Sequence, residues 1–192
     1  YDQASNILYR YISSSKSYKR VSNVIDKLNG SRYYFYDANG NRRTSSGWKK
    51  VNGSTAYYVC DGGYVTSRYT DQKGTKKVYD FDYSKNTWVQ KKNMWKTVYR
   101  SRYYFGSKGV ATMSYNNSTK KAYKFTGRKW KPAKKLIMKI GNANYYFNSA
   151  AKRVVKAGKY KTADGYIAYV NRRGVVYKRE YDLSVKRYYT ID

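Results

Sequence analysis

The amino-acid sequence predicts an all-β fold, an array of β-hairpin repeats of about 22 residues. The pentapeptide SRYYF stands at Ser31–Phe35 and again at Ser101–Phe105, and NYYF follows at Asn144–Phe147. Glycine-containing turn signals recur between such segments, and sustained helical periodicity is missing. An exact repeat seventy positions apart indicates an internally duplicated chain. The same strands also allow an alternative, two or three tandem SH3-like small β-barrels.

Aromatic-x-aromatic triplets run along the whole chain. Their first residues are separated by 24, 24, 22, 24, 20, 22, 23 and 20 positions. These residues are Tyr9, Tyr33, Tyr57, Tyr79, Tyr103, Tyr123, Tyr145, Ala168 and Tyr188, the last two heading weaker triplets. Because alternate residues of a strand share one face, we expect the first and third members to pack into the core. The order of repeat types predicts three super-units, residues 1–78, 79–122 and 123–192.

Turn residues justify the hairpins between these strands. Asn39-Gly40 is the dipeptide most able to adopt the positive φ of a tight hairpin turn. Similar signals stand at Asn52-Gly53, Asp61-Gly62-Gly63, Ser107-Lys108-Gly109, Asp164-Gly165 and Arg173-Gly174. The single proline, Pro132, predicts an edge strand or a connection. The segment Tyr18–Gly30 is the one stretch that could form a short turn of helix.

Tyrosine has to supply most of the buried apolar area. Leu, Ile, Val and Phe contribute 31 of the 192 residues, a fraction that with high net charge is typical of disordered chains. However, the sequence also contains 27 Tyr and 4 Trp. Each aromatic side chain buries about 150–250 Å² and keeps a polar tip that can stay in water. We therefore expect a folded chain with a tyrosine-rich core.

The charge balance indicates a polyanionic partner. The sequence has 41 Lys and Arg against 11 Asp and Glu, a formal charge of +30, and no histidine. Self-repulsion of this size has to be screened by salt, counterions or a polyanion. The same composition argues against an enzyme, because no histidine can serve as a base and most carboxylates occupy turn positions. Cys60 cannot form an internal disulfide, and we expect it to be a small strand residue. Neither a cofactor nor a metal site is predicted.

Basic doublets near aromatic residues are the candidate ligand-binding positions. Adjacent strand residues point to opposite faces, so each doublet offers one cation to each face. Nearby aromatic rings offer a flat surface for a sugar ring or a base. A solvated edge that prevents aggregation is the structural alternative for each doublet taken singly. The candidates are Trp48, Lys49, Lys50, Lys76, Lys77, Trp88, Lys91, Lys92, Lys120, Lys121, Trp130, Lys134, Lys135, Arg172, Arg173 and Tyr177.

The segment Gly30–Ser67 resembles the cell-wall-binding repeats of Gram-positive surface proteins, a group that includes choline-binding and glucan-binding modules. Gly47-Trp48, Asn52-Gly53, Tyr57-Tyr58-Val59 and Asp61-Gly62-Gly63 occur in the order typical of those repeats. Outside this segment the spacing drifts and Gly-Trp is missing. The basic, Tyr-rich composition is also similar to the wall-anchoring regions of lactobacillus S-layer and S-layer-associated proteins. That likeness implies teichoic or lipoteichoic acid as the ligand. Choline is disfavoured, because a strongly positive surrounding repels a quaternary ammonium group.

Together these features predict a non-catalytic cell-wall-binding module that attaches an exported bacterial surface protein to an anionic wall polymer. The alternatives are a nucleic-acid-binding protein, in which the same residues would meet phosphates and stack on bases, and a self-assembling S-layer or adhesin segment. No run of 18 apolar residues and no signal peptide is visible. Since the sequence begins at Tyr1, we expect a fragment of a longer protein at the cell surface.

Overall fold

The structure is a computed structural model that describes residues 1–28, 30 and 32–182. The chain divides into two compact units, which are considered separately. Unit 1 comprises Tyr1–Tyr99 and Phe105–Ala111, and unit 2 comprises Arg100–Tyr104 and Thr112–Asp192, described as far as Asp182. The helical content of the described residues is one 3-10 turn, Ser13–Ser15. None of them forms a helix with the length and apolar character needed to cross a membrane.

Unit 1 contains a two-stranded sheet β1-β2, a second one β3-β4, and a five-stranded sheet β5-β6-β7-β8-β9. The neighbouring strands within each of these sheets pair antiparallel, and the strand order follows the chain order. The strands are β1 Tyr9–Ile12, β2 Ser17–Arg20, β3 Val24–Leu28, β4 Arg32–Tyr36, β5 Gly47–Lys50, β6 Thr55–Val59, β7 Val65–Gln72, β8 Thr75–Asp82, β9 Thr87–Gln90 and β10 Met94–Val98.

Unit 2 is built in the same way. Strands β11 to β14 are successive neighbours in one sheet, β15 and β16 form a hairpin, and β17, β18 and β19 form a three-stranded meander. The strands are β11 Ser101–Phe105, β12 Ala111–Asn116, β13 Ala122–Phe125, β14 Trp130–Pro132, β15 Leu136–Ile140, β16 Ala143–Phe147, β17 Gly158–Lys161, β18 Tyr166–Val170 and β19 Val176–Tyr181. Small open antiparallel sheets of consecutive strands confirm the predicted hairpin array.

Two local predictions had opposite outcomes. Pro132 lies in β14, the edge strand of its sheet, where its missing N–H costs no ladder hydrogen bond, so the edge prediction is confirmed. The short helical turn suggested for Tyr18–Gly30 is wrong, because this segment contributes β2 and β3. In β3 the β-branched residues Val24 and Ile25 favour the extended conformation, and pairing with the aromatic strand β4 stabilises it.

One tight turn recurs after the triplets. In it the fourth residue has positive φ and donates its N–H to the carbonyl of the first. The turns are Asp37–Gly40, Cys60–Gly63, Gly106–Gly109, Asn148–Ala151 and Asn171–Gly174. Cys60 is thus the first residue of a turn, directly after β6, and not a strand residue. Four of the five turns end in a glycine whose role the sequence predicts, whereas Ala151, with φ +56°, gives no such signal.

Polar side chains stabilise three of these turns. The Asp37 carboxylate accepts the backbone N–H groups of Asn39 and Asn41, at 2.9 and 3.0 Å. The amide oxygens of Asn148 and Asn171 accept the equivalent N–H groups, two and four residues further on. Each side-chain oxygen thus gives two N–H groups of the turn backbone an acceptor within the protein. The same pair of side-chain-to-backbone hydrogen bonds therefore stabilises the turn at three places in the chain.

The core consists of the last residues of the triplets together with tyrosine. Phe35 and Val59 are buried in unit 1, and Phe147 is buried in unit 2, while the tyrosines that open these triplets are half-buried around them. Tyr146, a middle member, is buried as well, which the alternation argument did not predict. Tyr36 is fully buried, and burial, followed by the neighbouring Tyr1, raises the pKa of its hydroxyl to about 12. The triplet at Tyr188 lies outside the described residues.

Gly40→Ala tests whether the recurrent turn stabilises the fold. Gly40 has φ +73°, and a Cβ there would come within 2.8 Å of the Val21 carbonyl oxygen. We expect the substitution to lower the free energy of unfolding by about 1–3 kcal/mol, because it adds left-handed strain to a backbone clash. Gly53→Ala is the matched control, since its Cβ would meet nothing within 4 Å. Denaturant unfolding measures the free energy of unfolding of both variants. Equal losses of stability in the two variants would contradict the role of the turn.

Candidate functional site

The carboxylates of this chain are largely neutralised by its own cations. Seven of the eleven form ion pairs within the described residues, namely Asp26, Asp37, Asp71, Asp80, Asp164, Glu180 and Asp182. Since the sequence has 41 Lys and Arg, most of the cations have no carboxylate to pair with. The excess positive charge is therefore not cancelled within the fold.

The predicted basic doublets fall into two groups. Lys76 pairs with Asp71, and Lys91 lies 3.4 Å from Asp80, so both are compensated locally. The other predicted cations form no ion pair with the residues that the structure describes: Lys49, Lys50, Lys77, Lys92, Lys120, Lys121, Lys134, Lys135, Arg172 and Arg173. This second group is the part of the predicted set that is available to an anion.

The predicted aromatic residues also differ in their surroundings. Trp88 packs against Phe81 at a centroid distance of 5.0 Å, and Trp130 packs against Phe125 at 5.3 Å. Tyr177 is 67% exposed, with only Tyr169 as a ring neighbour at 6.3 Å within the described chain. Trp48 is the predicted ring that lies in a concavity. We refer to this concavity as the Trp48 groove.

The Trp48 groove is a hollow of about 990 Å³ in unit 1. Strands β5, β6 and β7 and the segments beside them supply its walls. Its lining combines aromatic rings, short polar side chains and cations, including Trp48, Tyr69, Tyr99, Asn52, Ser54, Arg43, Lys49 and Lys50. A concave site with flat rings and converging polar groups is the usual form of a ligand-binding site.

Trp48 is held in a fixed orientation at this groove. Its indole Nε1–H donates to the Thr97 carbonyl oxygen at 3.1 Å, and its ring meets Tyr58 edge-on at 5.5 Å. Tyr99 lies 6.3 Å from it, is half-exposed and has φ +53°. Both rings also line a second hollow, of about 610 Å³, with Lys96. Tyr99 could not be predicted as a site residue, because it stands outside the triplets and the basic doublets.

The charges in the groove favour an anion. Its two carboxylates are compensated, because Arg43 lies 2.8 Å from Asp37 and Lys76 pairs with Asp71. Lys49 donates to the Ser45 hydroxyl at 3.0 Å, and Lys50 is exposed. Lys49 and Lys50 thus line the same hollow as Trp48 and Tyr99, and no carboxylate of the described chain is paired with either lysine.

Asp80 organises a second cluster in unit 1. Its carboxylate accepts hydrogen bonds from the Ser67 hydroxyl at 2.6 Å and from Lys96 at 2.9 Å, and Lys91 lies 3.4 Å away. Burial acts to raise the pKa of Asp80, but these hydrogen bonds and the two lysine charges outweigh burial and hold the pKa below its ordinary value. The cluster ties β7 and β8 to Lys91 and Lys96 and leaves Asp80 unsuited to proton transfer near neutral pH. No group of three or more His, Cys, Asp or Glu residues that could hold a metal ion occurs in the described part of the chain.

Comparison with known proteins gives matches among solved structures only. No family model matches the chain, and no curated protein matches it. Choline binding protein F from Streptococcus pneumoniae is 22% identical over 84% of this chain and 50% of its own, with a TM-score of 0.24. The choline-binding domain of CbpL from the same organism is 21% identical over 82% of this chain and 98% of its own, with a TM-score of 0.20. Truncated alternansucrase from Leuconostoc mesenteroides is 15% identical over 85% of this chain and 13% of its own, with a TM-score of 0.27. These TM-scores are too low to equate positions of this chain with positions of those proteins.

Acid titration tests the role of Asp80 in stability. Because its pKa is lowered in the folded state, its contribution is present above the unfolded pKa of about 4 and is lost as the pH falls through the folded value. We expect Asp80→Asn to lower the free energy of unfolding at pH 7 by about 1–2 kcal/mol and to reduce the loss of stability on acidification. Asp61→Asn, at an exposed turn carboxylate, should change it by less than about 0.5 kcal/mol. An Asp80→Asn variant with the wild-type acid profile would refute this role.

Proposed function

We propose that this chain is a non-catalytic module that attaches an exported bacterial protein to the cell wall by binding the phosphodiester backbone of teichoic or lipoteichoic acid. The observation that carries the proposal is the Trp48 groove, whose lining combines Trp48 and Tyr99 with Lys49 and Lys50, two lysines without a carboxylate partner in the described chain. This combination suits a polymer that alternates phosphate with a sugar or a polyol.

The two kinds of side chain have separate tasks in such a complex. The lysine ammonium groups donate charge-assisted hydrogen bonds to phosphate oxygens. The faces of Trp48 and Tyr99 provide flat apolar area for the carbon skeleton between phosphates, while their polar atoms stay hydrated or hydrogen-bonded. Since Trp48 is already fixed by Thr97 and Tyr58, binding orders few additional groups.

The wider distribution of cations supports attachment at several points. The doublets Lys120-Lys121, Lys134-Lys135 and Arg172-Arg173 recur along the chain without ion pairs among the described residues, and all of these side chains except the half-buried Lys121 are exposed. A long polyanion that contacts one doublet meets the others at raised effective concentration. The similarity of the composition to lactobacillus wall-anchoring regions favours teichoic acid as this polyanion.

Cell-wall pull-down tests the proposed function directly. We expect the chain to bind intact Gram-positive walls, to lose most of this binding on walls stripped of teichoic acid, and to be released by purified lipoteichoic acid. Duplex DNA of equal phosphate concentration should compete less well. Undiminished binding to stripped walls would exclude the proposal, and stronger competition by DNA would favour a nucleic-acid-binding protein.

A double substitution tests the groove itself. Lys49→Gln with Lys50→Gln should weaken binding to lipoteichoic acid by about tenfold, because two charge-assisted contacts are lost. Arg128→Gln with Lys129→Gln removes the same charge from two exposed residues outside the candidate set and should weaken binding by less than about threefold. Isothermal titration calorimetry on the two variants gives the comparison. Equal losses would mean that net charge, and not the groove, determines the affinity.

A further inference from the structure

We infer that the five-stranded sheet of unit 1 contains an aromatic cation cage whose ligand is the chain's own Arg68, and that this internal ligand closes the cage to external organic cations. The inference concerns a different set of residues from the Trp48 groove. It does not depend on the proposed wall attachment.

Strand register assembles the cage. Tyr57 on β6 is the partner of Arg68 on β7, and Arg68 is the partner of Tyr79 on β8, so the three side chains form one row across the sheet. The Arg68 Cζ atom lies 4.5 Å from the centroid of the Tyr79 ring. It lies 5.0 Å from the centroid of the Trp88 ring, which β9 supplies. Tyr57, the cross-strand partner of Arg68, supplies the third side, and its ring packs against Trp88.

Other rings hold the walls of the cage in place. Trp88 packs against Tyr57 at 5.9 Å and against Phe81 at 5.0 Å. Tyr33 from β4 packs edge-on against Phe81 at 5.0 Å and also lies 6.4 Å from Trp88. A cavity whose walls are supported in this way should keep its form when its occupant is shortened.

Arg68 is half-buried, and the Nε end of its guanidinium is sheltered from water. Arg68 Nε is buried and has no hydrogen-bond partner among the described residues, so the ring faces are its main compensation on that side. Burial also raises the pKa of the Tyr57 hydroxyl, although the nearby Arg68 charge opposes this shift. A cation over ring faces is held most strongly where water is excluded.

This arrangement is the one that proteins use to bind quaternary ammonium groups, with a guanidinium in place of the ligand. A tethered side chain has a high effective concentration, so a free cation has to displace it from rings that it already covers. Arg68 is therefore the residue that determines whether the cage accepts an external ligand. In the wild-type chain the cage serves packing, and binding of organic cations is excluded.

Arg68→Ala tests the inference, with tetramethylammonium chloride as the probe and the Trp88 indole N–H resonance as the readout. The variant should bind the probe saturably, with an affinity at least about tenfold above the upper limit set by the wild-type titration, because the vacated rings regain a cation. Sodium chloride at equal ionic strength should not produce the shift. Wild type and Arg68→Lys should show no saturable change, since both keep a tethered cation.

Arg32→Ala is the matched control. Arg32 covers the Tyr64 ring at 4.3 Å but is exposed, so its removal deletes the same charge without opening a sheltered cage. We expect no saturable binding of tetramethylammonium to this variant. Equal affinity of wild type and Arg68→Ala for the probe, or a folded Arg68→Ala variant that binds no better than wild type, would overturn the inference.

A measurement on the wild-type chain applies even if Arg68→Ala does not fold. The δ-methylene protons of Arg68 should resonate upfield of those of the exposed Arg128, because they lie in the ring currents of Tyr79 and Trp88. Identical shifts for the two arginines would show that Arg68 does not occupy the cage, and the inference would fail.

Discussion

Contact between a cation and a tyrosine ring is the interaction on which this structure depends. With few aliphatic residues and a charge of +30, the chain has to bury rings and tolerate cations in the same places. Arg153 lies 4.0 Å from the centroid of Tyr145, and Arg179 lies 3.6 Å from that of Tyr166. Each contact shields apolar ring surface with the stem of a side chain and places a positive charge over the negative face of the ring. The excess charge thereby contributes to packing.

In the five-stranded sheet of unit 1, a cation covers aromatic rings at Arg68, whereas the rings at Trp48 lie beside an open hollow. Neighbouring residues of β7 point to opposite faces, so Arg68 joins the aromatic cage while Ser67 joins the Asp80 cluster with Lys91 and Lys96. In the cage a cation fills the space between rings. At Trp48 the rings stand beside a hollow, and Lys49 and Lys50 leave that hollow unfilled. The space beside the rings is thus open at Trp48 and filled by Arg68 in the cage.

Much of the fold could be predicted from the sequence because its signals are local. The positive φ of Gly40, Gly63, Gly109 and Gly174 follows from residue type, and the alternation of the triplets places Phe35, Val59 and Phe147 in the core. Ala151 takes the same turn conformation without a glycine, because the carbonyl and side chain of Asn148 hold the turn. The strands β2 and β3 could not be predicted locally. Their pairing with neighbouring strands, and not the periodicity of their own residues, determines that this segment is extended.

The candidate site was harder to predict, because it depends on which side chains meet across strands. Doublets look alike in the sequence, yet Lys76 and Lys91 are paired with carboxylates and Lys50 is not. Trp48 and Trp88 both follow a triplet, but one borders the groove and the other lies under Arg68. The division into super-units at residues 78 and 122 stays a prediction. Register and packing, which a single sequence does not display, separate structural cations from available ones.

The salt dependence of binding to purified lipoteichoic acid tests the central claim most directly. If lysine and arginine bind phosphates, each contact releases a condensed counterion, and the logarithm of the affinity should fall linearly with the logarithm of the salt concentration. The slope per contact should be below the value of about 0.7–0.9 known for nucleic acids, because teichoic acid is the more flexible chain. Near 1 M salt, where screening acts beyond about 3 Å, binding should be lost. Affinity that persists undiminished at that concentration would contradict attachment through charge and would leave the aromatic rings as its cause.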